Sequence, residues 1–424
     1  MLGKYDITMR IARGTILAAS ALAPDESTAK FMRFGRGQRR AAAEAEEAAE
    51  GLDRSRPTVW VHCSSLGEYG IARPVITTVK KKLDCNVVLT FFSPTGLEAV
   101  RRRPGDADAV LYLPFDTAAN ADRFLDAVRP DCAVFMVSEY WHNYLHGLKE
   151  RHIPTLLVSA IVREDSAFFK WYGSLYRDSI HCFTRIFALD SDTASRIREL
   201  SVDCVTVNGD PLFDNAVQVA STPWSQPELE RFAAGRKVFI AGSIHPDRDL
   251  DLIAALANAN TDVPFVIVPH EIRPSMLKKI VRAVNGEVRM LSECDANTDL
   301  TGTRAIVVDS VGSLAYMYRL GTWAYVGGGF TRLLHSVIEP VVYGLPVAFG
   351  PNIMRKVTPR QLEQLGIGRR VSDASQLLQW FVPLKNDDGR LAEISSKAAE
   401  YVSQNTGATE RVANAIIDAI CAKV

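Results

Sequence analysis

Runs of three to six largely apolar residues recur along the chain, each ending in, or followed within two residues by, Gly, Ser, Asp or Pro. The first series is Thr58–Cys63, Asn86–Phe91, Ala109–Leu113, Cys132–Met136, Thr155–Ser159, Arg185–Leu189 and Val205–Val207. The second is Val238–Ala241, Phe265–Val268, Ile306–Val308, Trp323–Val326 and Leu345–Phe349. Helical spacing of apolar residues separates most of them, as at Asp116–Val128 with Phe124 and Leu125 inward. Strands apolar on both faces, alternating with helices, belong to parallel sheets covered on both sides. The composition changes once, at Ser221–Gly235, which reads as a linker. The expected organisation is an N-terminal segment 1–40, a doubly wound Rossmann-like domain 41–220 and a second one 221–424. In such an α/β pair ligands belong in a cleft at the carboxyl ends of the strands.

The bulk numbers agree with large cores and exclude some partners. Of the 424 residues 47% are hydrophobic and 23% charged, and the net charge is zero. Nucleic acid is therefore not an expected partner. The seven cysteines form no CxxC pattern and the eight histidines no HExxH, so neither disulfides nor a metal are expected. The N-terminus departs from this average. Its apolar part, Ile16–Ala23, is too short to span a bilayer, and the cations Lys30, Arg33, Arg36, Arg39 and Arg40 follow. An apolar stripe beside cations suits an anionic membrane surface; it equally suits a helix packed on the protein body.

Ile306–Gly350 reads as strand, short helix (Leu314–Leu320), strand, then the turn Gly327–Gly329. Ser336 is placed to cap the next helix, with Glu339 in its first turn. Glycines after a parallel strand and facing a helix N-terminus suit a phosphate, and a carboxylate beside them suits ribose hydroxyls. No GxGxxG follows the first strand, which weighs against a dehydrogenase.

Chemistry concentrates at strand ends. Glu68 in SSLGEYG (Ser64–Gly70) starts a helix directly after the first strand. It can accept a proton from an attacking hydroxyl, or merely complement the helix dipole. SEYWHN (Ser138–Asn143) offers Glu139 and Asn143 among aromatics, either a sugar-binding floor or plain core. Arg163 and Lys170 could meet acceptor phosphates or simply lie in a solvated loop. Ser243 and His245 of GSIHPDRD, and His270 and Arg273 of PHEIRP, face the expected place of a nucleotide.

Taken in order, SSLGEYG, SPTG, YLPFD, SEYWHN, NGDPLFD, GSIHPD, VPHEIRP, DSVGSL, YVGGGF, HSVIEP and GLPVAFGP make a chain that resembles the 3-deoxy-D-manno-octulosonic acid (Kdo) transferases of lipopolysaccharide assembly. The resemblance runs over nearly the whole chain. It implies a GT-B fold and transfer of Kdo from CMP-Kdo to the lipid A precursor at the cytoplasmic face of the bacterial inner membrane, without a cofactor. It implies direct displacement with inversion, with Glu68 as the proton acceptor. CMP contacts would fall on Pro269 and His270, on Val311, Gly312 and Ser313, and on Ser336, Val337, Ile338 and Glu339. Ser65, Gly67, Glu139, Asn143 and Arg163 would serve the sugar or acceptor, and the N-terminal segment would be the membrane anchor. The chain departs from the family pattern where Val137 replaces an acid, His142 a Pro, His270 an Arg and Ser336 an Asn. A nucleotide-sugar epimerase and a non-catalytic nucleotide-binding scaffold share this fold and remain the alternatives.

Overall fold

The computed structural model describes residues 2–22, 29–331, 334–353 and 356–422, without the side chains of residues 2 and 20–33. Ala23, Lys30 and Arg33 of the expected membrane-facing stripe therefore lie outside this description. The chain divides into two compact units, Met1–Asp214 with Asn405–Val424, and Asn215–Gln404.

The first unit holds a parallel sheet of β1 (Thr58–Cys63), β2 (Asn86–Phe91), β3 (Ala109–Tyr112), β4 (Cys132–Met136), β5 (Thr155–Ala160), β6 (Arg185–Ala188) and β7 (Val205–Val207). Its order is β3-β2-β1-β4-β5-β6-β7. Every residue of β1 is buried, because alternate side chains enter cores on opposite faces. Trp60 joins Phe124, Phe135 and Tyr144 on one face; Val59 and Val61 join Ile71, Val75 and Val79 on the other.

The second core contains residues from the far end of the sequence. Val412, Ala413, Ala415, Ile416 and Ile420, one face of the final helix Ala408–Cys421, pack with Val59 and Val61. The expected division at 220/221, with everything beyond it in the second domain, is corrected accordingly. The break falls after Asp214, and the chain returns to the first unit from Asn405. Asp214 fixes the return by accepting hydrogen bonds from the Gly407 and Thr409 amides at 2.6 and 2.7 Å. Apolar spacing in Val412–Ile420 identified a buried face but not the core that buries it.

Two helices precede β1: α1 (Leu2–Leu22) and α2 (Ala29–Glu50). The Tyr5 hydroxyl donates to buried Asp116 at 2.8 Å, and Asp6 accepts from the Ala118 amide at 2.7 Å, so the start of α1 is fastened to the sheet domain. Ile7 and Ile11 stay exposed, as do Arg36, Arg39 and Arg40 on α2. Among the described residues no helix is long and apolar enough to cross a membrane.

The second unit repeats the plan with β8 (Phe239–Ile244), β9 (Phe265–Pro269), β10 (Glu287–Met290), β11 (Thr303–Val307), β12 (Trp323–Val326), β13 (Val347–Phe349) and β14 (Gly368–Arg370). The order is β10-β11-β9-β8-β12-β13-β14, and the pairings are parallel. In both sheets the direction of winding reverses between two adjacent strands, β1 and β4 in the first, β8 and β12 in the second. Ligands of open α/β sheets bind outside the carboxyl ends of such strands.

Candidate functional site

Both carboxylates singled out from the sequence stand at the first reversal point. Glu68 follows β1, in the first turn of α3 (Leu66–Lys82). Ser65 is the N-cap of α3, and its hydroxyl accepts the Glu68 amide at 3.4 Å. The Glu68 carboxylate turns back and accepts the Ser64 amide at 2.5 Å. Glu139 follows β4 and accepts the Ser64 hydroxyl at 2.6 Å, so the two acids flank one serine.

Their surroundings separate their proton affinities. Burial, and then the charge of Glu139, push the Glu68 carboxyl up to about 8, against the pull of the Ser64 and Ser65 amides. Burial also opposes ionisation of Glu139. Contacts with His62, Ser64 and Trp141 outweigh it, and Glu139 stays below the ordinary carboxylate value. Trp60 donates its indole N–H to Thr90 at 2.9 Å, and Thr90 lies 2.9 Å from His62 Nδ1. A Thr90 hydroxyl that donates to Nδ1 leaves the His62 proton on Nε2, which is 3.4 Å from Glu139. Trp141 Nε1 adds a donor at 2.5 Å. Two carboxyls with proton affinities pushed apart are what acid–base work at neutral pH requires. Glu68 is the one of higher proton affinity, raised first by burial and then by the neighbouring charge of Glu139.

The backbone beside this pair is strained. Val137, just after β4, has φ 60°, an outlier for a β-branched residue. Strain of this kind persists where surrounding structure imposes it, commonly at functional sites. The other residues read as sugar or acceptor contacts are distributed differently. Ser65 and Gly67 lie in the Glu68 turn, and a Cβ on Gly67 would meet the Ser65 hydroxyl at an ordinary contact distance of 3.8 Å. Asn143 does not reach the pair: it is buried, and its amide donates to the Asp116 carbonyl at 2.6 Å. Arg163 is exposed and paired with Asp165 at 3.2 Å.

The second reversal point carries histidines. β8 bulges between Ala241 and Ile244, and Ser243 takes φ 54° there. Such a bulge re-aims the residues that follow it. His245 comes next, His270 follows β9, and His335 lies beyond β12 with its amide on the Gly327 carbonyl at 3.1 Å. The His245 and His270 rings stack with centroids 4.5 Å apart, and His270 and His335 are also 4.5 Å apart. Burial and the neighbouring imidazoles depress His270, and push His335 down to about 4, so both are neutral at physiological pH. A cavity of about 390 Å³ opens beside them, lined among others by Asp247, Arg273, Ser275 and Lys279.

The expected CMP residues split into several groups. Pro269 ends β9, and His270 lines the cavity. Val311 and Gly312 (φ 96°) lie in an exposed loop after β11, and Ser313 precedes the one-turn helix Leu314–Met317. Ser336 does not cap the next helix: that position is Val337, and the helix is only Ile338–Val342. Val337 and Ile338 point into the core. Burial pushes the Glu339 carboxyl up to about 7. The Gly327–Gly329 turn serves packing. A Cβ on Gly327 would sit 2.1 Å from the Ser243 carbonyl oxygen, and one on Gly329 2.5 Å from the Gly350 nitrogen. The Gly328 amide is bonded at 2.8 Å to buried Asp249. His335, missed as a candidate, sits in the quoted HSVIEP motif; only its nearness to His245 and His270 distinguishes it.

Two doubly wound parallel sheets, each with candidate groups at its reversal point, define the GT-B class of α/β proteins. A solved UDP-GlcNAc 2-epimerase from Neisseria meningitidis, bound to UDP-GlcNAc, has this fold: TM-score 0.61, 15% identity, 85% of this chain and 100% of that one covered. Residues 31–215 match the family described as 3-deoxy-D-manno-octulosonic-acid transferase (kdotransferase). The 3-deoxy-D-manno-octulosonic acid transferase of Bordetella pertussis is 27% identical over 85% of this chain and 87% of its own length. That of Haemophilus influenzae is 24% identical over 84% and 85%. The chain thus resembles Kdo transferases along most of its length, and its residues 31–215 match the model of that family.

Proposed function

We propose that this chain transfers Kdo from CMP-Kdo to a hydroxyl of the lipid A precursor, with inversion at the anomeric carbon. The observation that carries the reading is the Glu68–Ser64–Glu139 arrangement, in which one of two partly buried acids has its proton affinity raised to about 8. The acceptor oxygen forms a bond to the anomeric carbon of Kdo as the bond from that carbon to the phosphate oxygen breaks. Glu68 takes the hydroxyl proton, and CMP departs with the electron pair. The cavity beside His245 and His270 has Arg273 and Lys279 in its wall to meet the nucleotide phosphate, although Asp247 and Glu271 line it too and Glu271 pairs with Arg273 at 2.7 Å. Glu339 offers a carboxyl for ribose hydroxyls. Exposed Ile7 and Ile11, with Arg36, Arg39 and Arg40, support a peripheral position on the cytoplasmic face of the inner membrane, where the acceptor lipid resides.

The test is incubation with CMP-Kdo and tetraacyl lipid A precursor, followed by mass spectrometry of the lipid. Addition of Kdo to the lipid is the expected result. Consumption of a UDP-sugar without an acceptor would favour the epimerase instead, and binding of CMP-Kdo without turnover the scaffold.

A further inference from the structure

Three side chains brought together from distant parts of the sequence converge at the carboxyl edge of the second sheet. His245, His270 and His335 each place a ring nitrogen so that all three lie within 4.8 Å of one another. Among the described residues they form the group of His, Cys, Asp or Glu able to hold a metal ion. His245 Nε2 and His335 Nε2 are 3.0 Å apart. A tetrahedral cation about 2.1 Å from each of two imidazole nitrogens separates them by about 3.4 Å, so this pair need open by only a few tenths of an ångström. His270 must swing inward; it is the most exposed of the three and lines the open cavity.

The backbone around the cluster is fixed before any ion arrives. Ser243 holds a left-handed conformation that serine seldom adopts, at a bulge two residues before His245. Buried Asp249 ties three segments together. It accepts the His245 amide at 3.2 Å, the Gly328 amide at 2.8 Å and the Tyr325 hydroxyl at 2.7 Å. The His335 amide closes on the Gly327 carbonyl within the same turn. Two of the three ligands are thus anchored through one hydrogen-bonded knot, as metal sites built on a rigid support require.

We propose that His245, His270 and His335 form a binding site for a divalent transition cation of the zinc or cobalt kind. Three imidazole ligands select such ions over magnesium or calcium, which prefer oxygen. Three protein ligands leave at least one coordination position for water or an anion. These histidines belong to the second unit and Glu68 and Glu139 to the first, and metal binding is testable whether or not the transferase reading holds.

The full chain, without a histidine tag and stripped with chelator, is titrated with Co²⁺ while its visible ligand-field bands are recorded, then with Zn²⁺ by calorimetry. A single equivalent of Co²⁺ should bind, give intense tetrahedral-type bands and be displaced by Zn²⁺. His335→Ala and His245→Ala should each weaken Co²⁺ more than about 100-fold, because even changes to groups behind the ligands cost 10–100-fold. His270→Ala, at an exposed side chain, keeps the test valid if the changes at the two half-buried histidines unfold the unit; it should also weaken binding and lose the bands. Absence of the bands in the folded wild-type chain, or undiminished Co²⁺ binding by a folded His270→Ala protein, would overturn the proposal.

Discussion

Glu68 and Glu139, at the ends of two adjacent strands, are held by opposite ends of one serine. The Ser64 amide donates to the first and the Ser64 hydroxyl to the second. The pair is therefore electrostatically coupled, and ionisation of Glu139 makes the proton of Glu68 harder to remove.

This coupling sets a pH dependence. If Glu68 must be ionised to accept a proton, kcat/KM for transfer should rise with pH and level off above about 8. Glu139→Gln removes the neighbouring charge while keeping an oxygen for Ser64, so the rising limb should move to lower pH. A pH–rate profile of lipid product formation by both proteins checks this. An unmoved limb would mean that Glu139 does not tune Glu68.

The same burial burdens the fold. The Glu68 pKa rises on folding from 4.5 to about 8, so the folded state binds its proton more tightly than the unfolded chain. The stability from this group is complete below 4.5 and is lost as pH rises through about 8. Glu68→Gln is neutral throughout and keeps an acceptor for the Ser64 amide. It should be more stable than wild type near pH 8, by about 2 kcal/mol after allowance for partial exposure, and no more stable at acid pH. Urea melts at the two pH values measure the difference. Equal stability at pH 8 would show that the carboxylate is not penalised by its surroundings.

Gly327→Ala should destabilise the second unit by about 3 kcal/mol, because the new methyl meets a backbone oxygen and buried Asp249 rather than a movable side chain. Thermal unfolding followed by circular dichroism reads this. Wild-type stability in the variant would show that the turn does not pack as described.

Ile416, 1% exposed, lies in the last helix and joins the core under β1. Ile416→Ala should cost about 3 kcal/mol. The loss should fall on the first unit, with amide-exchange protection dropping at Val59 and Val61 and holding at Ile240 and Ala241. Loss confined to Ile240 and Ala241 would return the helix to the second unit.

Much of this architecture was legible before any coordinates, for a physical reason. Central parallel strands are buried on both faces, so Thr58–Cys63, Asn86–Phe91 and Cys132–Met136 announce themselves by unbroken hydrophobicity, and the structure has them at those bounds. The edge strands Glu287–Met290 and Gly368–Arg370 escaped notice because they carry charges and are partly exposed. Glu68 and Glu139 could be found one by one from their strand-end positions. That Ser64 joins them depends on β1 lying beside β4, and spacing within a motif does not encode that pairing. The three histidines were hidden for the same reason. They stand 25 and 65 residues apart along the chain, and sheet topology alone unites them.

The central claim is that Glu68 removes the acceptor proton. The direct measurement is the transfer rate of Glu68→Gln with CMP-Kdo and tetraacyl lipid A precursor, beside CMP binding by the same protein. The account predicts undiminished CMP binding and a turnover lower by about 10²- to 10⁴-fold, the usual contribution of a positioned base. Transfer at close to the wild-type rate would contradict it.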